Sequence, residues 1–430
     1  MIMKRIKAKR IFETPSDKNF FFGYFNTHQI SSDDTSLIAL KCKSIDRVPN
    51  PDDGDFAEIG LFSLKNNIKE FKKFGLTHSF NWQQGCLAQF IGPDFSNKII
   101  FNDFNKESNQ YISKIYNISK ATTEVLPFPI YAVFPCGTKA LSIDFERHFW
   151  CRRGYSYGNI KNNEKNMKVV PDDGIWVSDF KSKTKKLLIS LEMLLDESPI
   201  SNMINATHYL EHMTISPCGS RFVFLHRWKL EEGGIHSRFY SYDMQTEKYH
   251  ILNDSGRMSH FCWQDNNQII GYGGIQNKIN KLRKNKTFVK RFFKPIMPIY
   301  KFFVRDSSVI SKKLTGDSYI NINVNSKKIK KIALDLITED GHPSINPGNH
   351  VFITDTYARL DINQRPKLIA HDLNLKKSFC IDELGSIKEF DESPIRCDLH
   401  PRVSFSGKLL SIDTMDKGYR GIYVYEMPKL

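Results

Sequence analysis

The feature that most limits what this chain can fold into is a short unit that recurs along it. Each copy reads as a brief strand, a tight turn and a second, more apolar strand. His28-Gln-Ile-Ser-Ser-Asp-Asp34 leads into Leu37-Ile-Ala-Leu40, and His212-Met-Thr-Ile-Ser-Pro-Cys-Gly219 leads into Phe224-Leu-His-Arg-Trp228. His260-Phe-Cys-Trp-Gln-Asp-Asn266 precedes Ile269-Ile-Gly-Tyr272, and His342-Pro-Ser-Ile-Asn-Pro-Gly348 precedes Val351-Phe-Ile-Thr-Asp355. His400-Pro-Arg-Val-Ser-Phe-Ser-Gly407 precedes Leu409-Leu-Ser-Ile-Asp413. Two copies lack the histidine: Ala88-Gln-Phe-Ile-Gly-Pro-Asp94 before Ile99-Ile-Phe-Asn102, and Ile130-Tyr-Ala-Val-Phe-Pro-Cys-Gly137 before Ala140-Leu-Ser-Ile-Asp144.

A unit of this kind cannot bury its apolar face alone, so copies must pack on one another. The seven copies start near residues 28, 88, 130, 212, 260, 342 and 400. Spacings of 42 to 60 residues suit a four-stranded blade, and the two of 82 imply insertions. The reading is all-β, a seven-bladed β-propeller formed as one domain over residues 1–430. The last blade runs out of chain at its third strand, 421–427, so the fourth is expected from residues 4–13, which would close the ring. A β-sandwich or two β-domains is the alternative.

Composition removes several classes. At 430 residues, 40% hydrophobic and 25% charged, the chain is neither globally disordered nor too small for a large core. No run of 18 apolar residues is present, which excludes a transmembrane helix of ordinary length. The basic start has no apolar core of a secretory signal, and the 8 cysteines include no Cys-x-x-Cys pair. Both fit a reducing compartment, and a cytoplasmic location is expected. The net charge of +15 favours an acidic partner. Phosphate-binding loops, dinucleotide fingerprints, nucleophile elbows and zinc-finger spacings do not occur, and no nucleic-acid module is recognisable.

The histidines carry the chemistry. Five of the 13, His28, His212, His260, His342 and His400, hold the same place in the repeat. Equivalent positions in a ring of blades converge on its axis, and imidazoles meeting near one point bind a divalent metal. Zinc or manganese is expected, with His260, His342 and His400 as the trio. Cys397 and Asp398, just before His400, add a ligand or are an ordinary polar entry to the strand. A propeller histidine that only hydrogen-bonds its own blade is the plainer reading of any one of them.

Two insertions stand out. Residues 276–306 hold ten basic residues and one acidic residue interleaved with Phe, Ile and Tyr. A clamp on an acidic polymer, a peripheral membrane element, a protein-docking arm and a solvated loop are all open. The second, at about 150–172, carries Trp150, Arg152, Arg153, Tyr155 and Tyr157.

Several segments resemble the propeller polysaccharide lyases, the group of oligogalacturonate lyases and propeller ulvan lyases. They include Asn81-Trp-Gln-Gln-Gly-Cys86, Leu141-Ser-Ile-Asp-Phe-Glu-Arg147, Phe224-Leu-His-Arg-Trp228, Asp340-Gly-His-Pro-Ser344, Thr354-Asp-Thr-Tyr357 and Arg396-Cys-Asp-Leu-His-Pro-Arg402. The likeness spans about residues 20–425. It implies a seven-bladed propeller, a metal held largely by channel histidines, and β-elimination at a uronic acid. The chain departs in the turns Ser-Pro-Cys-Gly and Phe-Pro-Cys-Gly, where the family usually has Asp, and in the basic insertion.

Elimination removes the proton α to the uronate carboxylate and expels the β-linked sugar oxygen. The carboxylate must be neutralised, and a base and an acid are needed. No opposed carboxylate pair of the glycosidase kind is required, and none is evident. By the resemblance Arg147 neutralises the carboxylate; an ion pair with Glu146 is the alternative. Tyr131 and His212 are acid–base candidates, Tyr131 against plain packing. His226, flanked by apolar residues, is a further catalytic candidate. His78, Gln84, Arg152, Tyr155 and Arg227 are expected to bind substrate. A lyase-like enzyme on a uronate-containing glycan is the leading reading. A non-catalytic propeller that binds acidic glycan, or a partner in surface-polysaccharide assembly, is its rival.

Overall fold

In the computed structural model the described residues are all except 1–2, 44–46, 66–68, 161–167, 171, 232, 276–315, 333–336, 338, 347, 359–363, 388–389 and 391–393. The basic segment 276–306 therefore lies outside them. The strands form seven separate sheets, six of four strands and one of five, and the architecture is a seven-bladed β-propeller.

Each blade is an antiparallel meander. Blade 4 is the most regular, with strands Thr207–Ile215, Arg221–Lys229, Ile235–Asp243 and Lys248–Gly256. Its second strand, Arg-Phe-Val-Phe-Leu-His-Arg-Trp-Lys, reads as a nearly continuous apolar run rather than an alternation. Phe222 and Phe224 join the core shared with blades 2 and 3, while Val223 and Leu225 join the core shared with blade 5. A blade is covered on both faces, so both sides of its strands must be apolar. Each such ring or branched chain contributes roughly 1.5–3 kcal/mol by leaving water.

The first two strands of a blade are joined by the tight turn that marks the repeat. In blade 4 the Gly219 amide donates to the Ser216 carbonyl at 2.8 Å, with Gly219 at φ +76°. In blade 3 the Gly137 amide donates to the Phe134 carbonyl at 2.8 Å, and Gly137 sits at φ +69°. A side chain at Gly137 would also run into the Gly92 carbonyl oxygen, 1.9 Å from where a Cβ would stand. Glycine is required there on both counts.

The chain ends share the last sheet, but not as a single strand. Arg10–Glu13 lies antiparallel on Gly421–Glu426 as the outermost strand of blade 7. Lys4–Arg5 instead pairs in parallel with Lys377–Glu383, the outer strand of blade 6. The expected closing strand 4–13 is thus two short pieces that serve neighbouring blades.

Both long spacings in the repeat fall between the second and third strands of a blade. In blade 3 the inserted segment lies between Lys139–Ser142 and Gly174–Asp179. It carries a helix, Phe145–Cys151, whose start is capped by the Asp144 carboxylate accepting from the Arg147 amide at 3.0 Å. A cap of this kind contributes about 1 kcal/mol. In blade 5 the gap lies between Gln268–Gly273 and Ser318–Asn323, where the basic segment belongs in the chain. Among the described residues no helix is long and apolar enough to cross a membrane.

Candidate metal and acid-binding site on the propeller axis

Four of the five repeat histidines meet. His212 and His260 have ring centroids 5.3 Å apart, His260 and His342 4.2 Å, and His342 and His400 4.4 Å. They come from successive blades 4, 5, 6 and 7 and form an arc around the axis. Tyr24 of blade 1 completes the arc, 5.3 Å from His400 and 5.5 Å from His212. His212 and His400 take positive φ, +50° and +45°. All four rings are at most 3% exposed.

Each member of the expected trio has one ring nitrogen held by protein and the other left open. The His342 Nδ1 lies 2.9 Å from both oxygens of Asp355, whose carboxylate also accepts the His342 and His400 backbone amides. The His260 Nδ1 faces Asp340 at 3.3 Å and the Ser259 hydroxyl at 3.1 Å. The His400 ring is hydrogen-bonded to the Gly23 backbone. The Nε2 atoms of His260, His342 and His400 are buried with no hydrogen-bond partner. A carboxylate or carbonyl on one imidazole nitrogen fixes the tautomer and presents the other as a lone pair, as in carboxylate–histidine–metal sites. Orphaned nitrogens on buried imidazoles are the donor type that a divalent cation of the zinc or manganese kind takes. The donor atoms of His342, Asp398 and His400 lie within 4.8 Å of one another; His260 and Cys397 stand outside that tightest set. Asp398 is also paired with the Arg396 guanidinium at 2.9 Å.

Burial governs the protonation of these rings. It pulls His400 and His212 well below the usual histidine value and His260 below it as well. Burial also pulls on His342, but the Asp355 carboxylate outweighs it and raises that ring. Neutral imidazole is the form that ligates a metal or accepts a proton.

Beside the arc lies a charged knot. Glu211, on the inner strand of blade 4, is fully buried and pairs with Arg152, with Arg227 at 2.5 Å and with His148 at 3.3 Å. Burial alone would raise this carboxyl, yet the two guanidiniums hold it well below the carboxylate range. The Arg152 guanidinium stacks on the Tyr155 ring at 3.9 Å, and the Tyr155 hydroxyl accepts from Arg396 at 2.8 Å. The blade-3 insertion thus bridges blade 4 and the last blade above the histidines. His212 links knot and arc: its Nδ1 meets the Tyr24 hydroxyl at 2.5 Å and its Nε2 lies 3.4 Å from Arg152.

The remaining expected residues are distributed as follows. The Tyr131 hydroxyl accepts from the His212 amide at 3.0 Å and from the Gln84 side chain at 3.2 Å, so both adjoin the knot. Arg147 turns away from the arc: its guanidinium donates to the carbonyls of His208 and Lys168, at 2.9 and 2.8 Å. His226 packs under Trp228 and shares a hydrogen bond with His208 at 2.9 Å, off the axis. His78 lies at the blade 1–blade 2 seam, 3.6 Å from Asp103. Cys397 is half-buried, and desolvation together with Asp413 and Asp398 pushes its thiol up despite Arg420. His28 does not join the arc. Its ring stacks on Phe405 at 3.9 Å and takes a hydrogen bond from Arg402 at 2.9 Å.

Sequence reasoning missed Tyr24, Glu211, Arg396 as a charge at the site, Asp340 and Asp355. Tyr24 gave no signal, since it precedes His28 by four residues and so falls outside the recurring unit. Glu211 and Asp355 gave none, because a buried carboxylate next to apolar residues looks like any strand end.

No family model and no curated protein matches the chain. Among solved structures it is similar to an oligogalacturonate lyase in complex with manganese, with TM-score 0.62 at 11% identity, covering 100% of this chain and 96% of that one. It is similar also to an oligogalacturonate lyase from Vibrio parahaemolyticus, with TM-score 0.60 at 11% identity, covering 100% of this chain and 97% of that one. At that identity the likeness establishes the propeller fold.

Proposed function

We propose that this propeller is a metal-dependent lyase-like enzyme that cleaves a uronic-acid-containing glycan by β-elimination. The observation that carries the reading is the set of three buried imidazoles, each with one nitrogen fixed and Nε2 open, beside a cluster of arginines. His260, His342 and His400 would hold the ion, with Asp398 at hand. When bound, the ion supplies positive charge that steadies the uronate carboxylate and acidifies the neighbouring C–H.

The chain's own groups supply the rest. Burial keeps His212 neutral, so it can accept the proton α to the carboxylate and, once protonated, deliver it to the departing β-linked oxygen. Tyr24 on its Nδ1 fixes the ring, leaving Nε2 toward Arg152. Arg152 and Arg396 take the carboxylate-binding role that the resemblance gave to Arg147, whose donors are engaged by backbone carbonyls. Their side chains are 20% and 30% exposed, so they form the rim a glycan would meet first. The glycan partner and the +15 charge are complementary in sign.

The test is incubation with oligogalacturonate and other uronate oligomers in the presence of Mn²⁺, following the ultraviolet absorbance of the conjugated unsaturated product. Absorbance should rise with at least one uronate and be abolished in His212→Gln. No rise with any uronate, in protein shown to hold metal, overturns the enzymatic reading and leaves a glycan-binding propeller.

A further inference from the structure

Beneath the histidine arc the axial channel opens into a cavity of about 310 Å³ to which all seven blades contribute. Phe25 separates the two compartments. Its ring stands 5.3 Å from His342 and 5.7 Å from His260, and it also lines the cavity. The walls mix the apolar Phe90, Phe95, Trp263 and Phe405 with the polar Gln89 and Asn346.

One cation faces this space. The Arg402 guanidinium donates to the His28 ring at 2.9 Å and to the Phe25 carbonyl at 3.4 Å, and its Nε is buried with no partner. Among the described residues it forms no ion pair, whereas Arg152, Arg227 and Arg396 above each meet a carboxylate. The ionisable groups it senses are His28 and the Cys262 thiol. Burial, and secondarily Arg402, keep His28 neutral, so it offers no compensating charge. Burial brings Arg402 itself down to about 10, still charged at neutral pH. A half-buried guanidinium without a carboxylate partner is partly stripped of water at a cost, and its fork-shaped donors match a carboxylate. His28, Phe95 and Phe405 pack as an aromatic wedge beside it, with Phe95 and Phe405 4.4 Å apart.

We infer that this lower cavity is a second binding site, for a small carboxylate with a flat apolar body, whose anion pairs with Arg402 and whose body lies among Phe90, Phe95 and Trp263. A single guanidinium suits one negative charge; doubly charged phosphate or sulfate would bring a second charge with no counter-charge. The inference is independent of whether the upper site is catalytic.

Benzoate tests it, titrated into the full-length protein by calorimetry, with benzamide and sulfate in parallel. Benzoate should bind, and the neutral isostere benzamide and sulfate should bind at least about tenfold more weakly. Arg402→Gln should weaken benzoate by about tenfold or more while leaving benzamide unchanged. Failure of benzoate to bind, equal binding of benzamide, or full benzoate affinity in a folded Arg402→Gln protein overturns the inference. If that variant does not fold, the benzoate–benzamide comparison on the unaltered chain decides.

Discussion

The two ends of the axial channel are built from the same stretches of chain and differ completely in chemistry. In blade 7, His400 joins the upper arc and Arg402, two residues on, faces the lower cavity. In blade 5, His260 is above and Cys262 and Trp263 are below. Above, among the described residues, charges pair: Glu211 with Arg152 and Arg227, Asp398 with Arg396, Asp355 with His342. Below, among the described residues, one guanidinium faces neutral walls without a carboxylate partner. The repeat therefore fixes where a side chain lies along the axis, while the residue chosen at each place decides what that end can bind.

If the upper end is held by paired charges, removing one shared partner should do the most damage. Glu211→Gln leaves the buried Arg227 and the partly buried Arg152 without their carboxylate, and should cost about 3–5 kcal/mol in urea unfolding. A loss of less than about 1 kcal/mol would place the two arginines effectively in water. Next in size is the support of His342. Asp355→Asn should lower Mn²⁺ affinity by about 10–100-fold without unfolding the protein, measured by competition with a chelator dye. Unchanged affinity would mean that the carboxylate does not orient that ring.

A smaller effect comes from the off-axis pair, His208 and His226. Burial pushes His208 down to about 4, and the neighbouring His226 well below the histidine range. Their folded values lie below the unfolded one, so the unfolded chain binds protons first. The stability they contribute is complete above about pH 6.5 and is lost as pH falls toward 4. Urea midpoints measured in chelator should fall across that window, and His208→Asn should flatten the decline. The smallest effect is expected below. Without ligand, Arg402→Met should leave the urea midpoint unchanged or raise it, because the cation there lacks a counter-charge. A drop comparable with that of Glu211→Gln would erase the contrast between the two ends.

The propeller was legible because its signal is repetitive. Seven turn-and-strand units at blade spacing outweigh any ambiguity in one of them, and both long gaps landed between the second and third strands of a blade. The histidine arc was legible for the same reason, with one slip. In blade 1 the position on the arc belongs to Tyr24, and His28 falls one level lower against Arg402. Sequence spacing cannot register a four-residue offset before a turn. Arg147 and His226 were misplaced because a strand or helix pattern shows that a side chain is buried, not which neighbour's carbonyl or ring awaits it. Arg147 meets backbone carbonyls of distant residues, and His226 meets His208 across the strand pair. The carboxylates that orient the imidazoles escaped notice because pairing across blades is a property of the closed ring.

The central claim is that His260, His342 and His400 converge to hold a divalent ion while His28, though it occupies the same slot in the repeat, does not. Equilibrium dialysis with Mn²⁺ and with Zn²⁺ on the parent protein, His342→Ala and His28→Ala tests it in one experiment. Stoichiometric binding by the parent and by His28→Ala, lost in a folded His342→Ala, is the predicted result. No binding by the parent, or equal binding by all three, would contradict it.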